Sequence, residues 1–104
     1  MEEQLTKLLK DGKDWEKKQT SIEGISILKL PEYRGNPPRL GVEINPVDEL
    51  GRPTKKRGLI LRSLDELEEF RKLFSNDKLS SLMDNIEKIC GKIEKKEKGE
   101  VIEL

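Results

Sequence analysis

Lys29, Arg34, Arg39, Arg52, Lys55, Lys56, Arg57 and Arg62 all fall between residues 29 and 62, against the four anions Glu32, Glu43, Asp48 and Glu49. Eight cations less four anions give this segment +4. The rest of the chain holds the other 13 of 21 cations and 17 of 21 anions, or −4, so the net charge of zero conceals a separation. Every arginine except Arg71 lies in the segment, while lysine dominates the flanks. Cations spaced along strands and a connecting loop suit a phosphate backbone. Guanidinium is the better fork for phosphate and the better stacking partner for a base. A neutral chain would ordinarily argue against nucleic acid, because phosphate neutralisation supplies much of the affinity. A concentrated local field restores the possibility.

Aromatic residues are few. Tyr33, in a Gly/Pro turn, is expected at the surface, where a base can stack on it. Trp15 reads first as a core anchor and second as a stacking platform, while Phe70 and Phe74 read as core. The candidate nucleic-acid-binding set is therefore Lys29, Tyr33, Arg34, Arg39, Arg52, Lys55, Lys56, Arg57 and Arg62.

A second constellation lies near the C-terminus. Leu79, Leu82, Ile86, Ile89 and Ile93 recur at intervals of three, four, three and four residues. This is a heptad seam, and it points to a zipper-like dimerisation helix. Packing on the chain's own sheet is the alternative, and Met83 and Cys90 widen the stripe in that direction.

Catalytic chemistry finds little support, and the chain reads as a non-enzyme. There is no histidine, no Gly-rich phosphate loop and no nucleophile elbow. One cysteine, Cys90, allows no internal disulfide, and no zinc or haem set can be assembled. Asp48 and Glu49 form an isolated acidic pair that nothing joins. No cofactor, metal or small-molecule substrate is expected.

The positioning elements follow from periodicity. Residues 2–18 read as a helix with Leu5, Leu8 and Leu9 on one face, weakened at Gly12. Thr20–Leu30 reads as a strand, with Ile25 and Ile27 on one side and Leu28 and Leu30 on the other. Residues 31–38 are a turn region, Arg39–Asn45 a second strand, 45–58 a long hairpin connection and Gly58–Arg62 a third strand. Ser63 with Glu66 fits a capping box that opens a helix carrying Leu64, Leu67, Phe70 and Phe74. A last helix is expected over 77–97, and residues 99–104 read as a tail or short strand.

The expected fold is α+β, a small antiparallel sheet of three to four strands packed with helices. Residues 1–76 would form the nucleic-acid-binding domain and 77–104 the dimerisation element. The sheet is expected to show Leu28, Leu30 and Ile60 beside Gly41 and Gly58, an apolar trough edged by Arg39, Arg57 and Arg62.

With 40% charged residues, the composition fits a hyperthermophile's bias toward ion-pair networks, although an AT-rich genome also favours Lys, Glu and Ile. No apolar run reaches signal-peptide or membrane-spanning length, so a soluble, cytoplasmic protein is expected.

Over residues 12–74, and most of all in RGNPPRLGVEINP and GRPTKKRGLILRS, the sequence resembles the ThermoDBP family of archaeal single-stranded nucleic-acid-binding proteins. The resemblance implies a compact α+β domain with a hydrophobic cleft edged by basic residues. It also implies dimers formed through a C-terminal zipper-like helix. Arg34, Arg39, Lys55, Lys56, Arg57 and Arg62 lie in the matching segments. The combined expectation is a homodimer that binds single-stranded DNA or RNA with low sequence specificity. The competing expectation is a protein-interaction or assembly module that uses the C-terminal stripe or a sheet edge.

Overall fold

The computed structural model describes residues 1–93. Helix α1 spans Glu2–Asp11, with Glu2 and Glu3 at its positive end and Lys10 at its negative end. It stops at Gly12, whose amide donates to the Leu8 carbonyl at 2.9 Å. A Cβ on Gly12 would run into that same carbonyl oxygen. The helix expected to reach residue 18 is therefore shorter, because after Leu9 only Trp15 remains to extend an apolar stripe.

Residues 13–16 form a tight turn instead, and the chain enters β1 (Lys17–Gln19). The segment expected as one strand from Thr20 is a hairpin. Thr20 Oγ accepts from the Ile22 amide at 3.2 Å and donates to the Ile25 carbonyl at 2.7 Å, Gly24 takes φ +88°, and β2 begins only at Ile25.

Strands β2 (Ile25–Leu30), β3 (Arg39–Ile44) and β4 (Leu59–Leu61) complete a four-stranded antiparallel sheet in the order β1-β2-β3-β4. The fold is α+β, as the periodicity implies. The register pairs Ile25 with Ile44, Ile27 with Val42 and Leu30 with Arg39. One face thus carries Ile25, Ile27, Lys29, Leu40, Val42 and Ile44. The other carries Ser26, Leu28, Leu30, Arg39, Gly41 and Glu43. Helix α1 lies over the first face, where Ile27 shares a cavity with Leu5 and Leu8, and where the Lys29 ammonium donates to the Leu9 carbonyl.

The buried apolar set is Leu8, Leu28, Leu30 and Leu61, and no described side chain is under 2% exposed. A core this thin leaves individual polar contacts a large share of the net stability.

Helix α2 spans Leu64–Phe74, and Ser63 Oγ accepts from the Glu66 amide at 3.1 Å, the N-cap contact that the sequence implies. Helix α3 spans Asp77–Cys90, with Asn76 accepting from the Lys78 amide at 2.9 Å. Gly91, at φ +83°, ends it. The helix expected to continue to 97 stops there, so Ile93 lies past its end and outside the helical seam. Residues 99–104 lie outside the described set.

The chain divides into two compact units, Met1–Glu69 and Phe70 onward, with the division inside α2. The first holds α1 and the sheet. In the second, Phe70 and Phe74 stack at 6.2 Å, and with Leu73, Leu79 and Leu82 they line an apolar groove of about 450 Å³. No helix among the described residues is long and apolar enough to cross a membrane.

Candidate nucleic-acid interface

The meander fixes where each basic residue stands. Successive strands reverse direction, so the 31–38 connection and the exit from β4 lie at one end of the sheet. The 45–58 connection lies at the other. Tyr33, Arg34, Arg39 and Arg62 therefore gather at the first end, and Arg52, Lys55, Lys56 and Arg57 at the second. The six residues of β3 separate the two groups by about 17–20 Å.

At the first end, Tyr33 and Asn36 exchange two backbone hydrogen bonds, of 3.1 and 2.9 Å, across Arg34 and Gly35. Both central residues have positive φ, +49° for Arg34 and +81° for Gly35. This is the mirror-image turn suited to a hairpin, with arginine in a position that favours Asn or Gly. The Arg34 guanidinium sits 5.1 Å from the Tyr33 ring centre, and Tyr33 is 55% exposed. Ring and cation form one surface that can stack and pair. Arg39 and Arg62 are exposed, with no carboxylate at ion-pair distance among the described residues.

At the second end, the long connection is a built loop. The Asn45 side chain is buried and bonds the Lys55 backbone twice. The Thr54 amide and hydroxyl both donate to the Pro46 carbonyl at 2.8 Å. Asp48 Oδ1 accepts from the Leu50 and Arg52 amides, each at 2.9 Å, and Arg52 Nε lies 3.6 Å from Asp48 Oδ2. Asp48 thus organises the loop tip and partly neutralises Arg52. Lys55, Lys56 and Arg57 follow, all exposed.

Between the two ends, Lys17 Nζ lies 2.6 Å from Glu43 Oε1. That hydrogen bond is the main reason the Glu43 carboxyl sits below its ordinary range. Burial opposes the shift, and the Gly58 amide and the charges of Lys17 and Arg57 add to it.

Several expectations need correction. Lys29 does not join the exposed cations. It is 6% exposed, and its ammonium donates to the Leu9 carbonyl in the last turn of α1, an acceptor without a partner inside the helix and at its negative end. The apolar trough is also closed. Leu28 and Leu30 are each 4% exposed, and Leu30 Cδ1 fills the space a side chain at Gly41 would need, 2.8 Å from such a Cβ. The small residues in the strands mark close packing rather than an opening.

A cavity of about 470 Å³ does exist against α1. Leu5, Leu8 and Ile27 form its apolar wall, and its rim mixes Lys7 and Lys18 with Asp11 and Glu16, which gives phosphate no net attraction. Trp15, expected first as core, is 51% exposed. Among the described residues no three His, Cys, Asp or Glu side chains come together as a metal site.

Along α3 every residue is exposed: Leu79 at 37%, Leu82 at 56%, Ile86 at 42% and Ile89 at 85%. The expected seam is thus an exposed apolar stripe running from Leu79 to Ile89.

No protein-family model matches the chain, and neither a curated protein nor a solved structure matches it.

Proposed function

We propose that this protein binds single-stranded nucleic acid, DNA or RNA, with low sequence specificity. It acts as a binding module rather than an enzyme, and as a homodimer joined through α3. The observation that carries the reading is the pairing of two exposed basic groups at the ends of one sheet with an exposed Tyr33 under a guanidinium. Cations follow a backbone without reading sequence, and an exposed ring with a cation above it takes any unstacked base. A duplex hides its base faces and leaves Tyr33 with nothing to stack on. The resemblance to archaeal single-strand binders supports the same reading. With the trough closed, surface aromatics supply the apolar contact.

Fluorescence anisotropy with labelled single-stranded DNA, single-stranded RNA and duplex tests this. Both single strands should bind more tightly than duplex. The log–log salt slope should be roughly −3 to −4, from about 0.7 per contact and four to six phosphate contacts. Absence of binding to every oligonucleotide removes the proposal.

The second reading is a protein-interaction module, favoured by the exposed α3 stripe. Its partner would be held by apolar contact, and its affinity would change little with salt. The sheet edge is a poor alternative surface. Both edge strands, β1 and β4, are only three residues long, and β1 carries Lys17 and Lys18 and follows a bulge, all features that discourage strand addition.

A further inference from the structure

The turn Lys13–Asp14–Trp15–Glu16 closes with the Glu16 amide on the Lys13 carbonyl at 3.0 Å, and Trp15, its third residue, has φ +67°. That position calls for glycine, because left-handed backbone crowds a Cβ. The turn is welded to the sheet as a bulge. The Trp15 amide donates to the Lys29 carbonyl at 2.7 Å, and the Lys29 amide donates to the Glu16 carbonyl at 3.0 Å, so two residues oppose one. The Glu16 carboxylate accepts from the Lys13 amide at 3.1 Å and lies 3.4 Å from the Lys18 ammonium. The backbone beneath the indole is thus fixed on every side.

Such a conformation persists where the surrounding contacts over-determine it, as these hydrogen bonds do. Trp15 is nonetheless 51% exposed, so much of its surface stays open to contact. A bulky residue held in a sparsely populated conformation, with much of its surface open, suits a pre-organised contact surface.

The topology places it usefully. Trp15 opposes Lys29, at the same end of the sheet as Tyr33, Arg34, Arg39 and Arg62. Arg39, which opposes Leu30, stands two strands away, about 10 Å from Trp15 between backbones, on the face opposite to that of Lys29. We infer that Trp15 is a second stacking platform, which takes an unpaired base whose phosphate is held by the arginines of that end. This rests on the proposed function and adds a residue and a polarity to it. Bases stack at the Trp15–Tyr33 end, while Lys55, Lys56 and Arg57 at the other end hold only backbone. Every base has a π-face, so the contact adds affinity without sequence preference.

Trp15 is the only tryptophan, so its emission reports on this ring alone. Unlabelled oligothymidylate should quench that emission over the range in which a labelled copy gains anisotropy. Trp15→Gly should melt no lower than the wild type, since glycine relieves the strained backbone, and should bind single strands about tenfold more weakly. Trp15→Phe should stay within about threefold of the wild type, because a ring is retained. A rise in anisotropy with unchanged emission, together with wild-type affinity in Trp15→Gly, would overturn the inference and leave the proposed function standing. Melting of Trp15→Gly well below the wild type would make the indole structural and also overturn it. Loss of the anisotropy signal in the wild type would remove both.

Discussion

The side-chain amide of Asn45 holds the backbone of Lys55 from both sides, donating to its carbonyl at 2.7 Å and accepting from its amide at 3.2 Å. A buried residue at the end of β3 thereby fixes the base of the loop that presents Lys55, Lys56 and Arg57.

Two substitutions separate the scaffold of that loop from its charges. Replacing Lys55, Lys56 and Arg57 with Ser should weaken single-strand binding at least about tenfold and flatten the salt slope, with little change in melting, because all three side chains are exposed. Asn45→Ala keeps every charge but releases the loop. It should lower stability by about 1–2 kcal/mol and speed amide exchange across 46–57, with a smaller loss of affinity from lost pre-organisation. Affinity unchanged in the triple variant would move the site elsewhere.

Lys29 should behave unlike its exposed neighbours. Lys29→Met removes the donor to the Leu9 carbonyl while keeping most of the buried stem. It should lower stability by about 1–3 kcal/mol, read as a drop of several degrees or more in melting midpoint. Below that midpoint, oligonucleotide affinity should stay within about twofold of the wild type, since a buried ammonium contributes no phosphate contact. A change in the salt slope would return Lys29 to the interface.

Acid should act through Glu43. Its folded pKa lies below the ordinary 4.5, chiefly because of the Lys17 hydrogen bond. The contribution is therefore complete above about pH 4.5, and it is lost as pH falls from there toward the folded value, where the unfolded chain binds the extra proton. Denaturant midpoints should be level between about pH 7 and 5 and decline below 4.5. Glu43→Gln should be less stable at neutral pH and show a shallower acid decline. An equally steep decline in the variant would assign the titration to other carboxylates. Glu16 is among them, lowered first by the Lys13 amide and then by Lys18.

For α3, the 12.0 kDa chain should sediment at about twice that mass. Ile86→Asp with Ile89→Asp alters two exposed positions, so the variant should stay folded and sediment as a monomer with weaker single-strand binding. A wild type that sediments as a monomer would remove the dimer from the proposal, and the interface on the sheet would be judged by the anisotropy titrations alone.

Much of the sheet is legible in the sequence because its signal is local. The alternation through Leu40, Val42 and Ile44 sets the β3 faces, and Ile25 and Ile27 against Leu28 and Leu30 sets those of β2. Ser63 with Glu66 marks the start of α2. The segment around Trp15 is opaque for a physical reason. A left-handed tryptophan is a choice that propensity argues against, and it hides the turn that separates α1 from β1. Lys29 misleads because charge alone cannot report that its ammonium meets a helix terminus. Gly41 misleads because a missing side chain looks the same in sequence whether the space is open or filled by Leu30. The role of Asn45 rests on a contact ten residues along the chain, which no periodicity encodes.

The strand order β1-β2-β3-β4 also bears on how the chain reaches this state. Each strand pairs with its neighbour in sequence, so few contacts require distant segments to find one another, and the search during folding is short. The widest closure within the sheet is the connection from β3 to β4, and Asn45 and Lys55 draw its flanks together. The entropy of closing that loop is the main non-local cost in assembling the sheet. The residue that shapes the surface around Lys55 therefore also governs how readily the last strand joins.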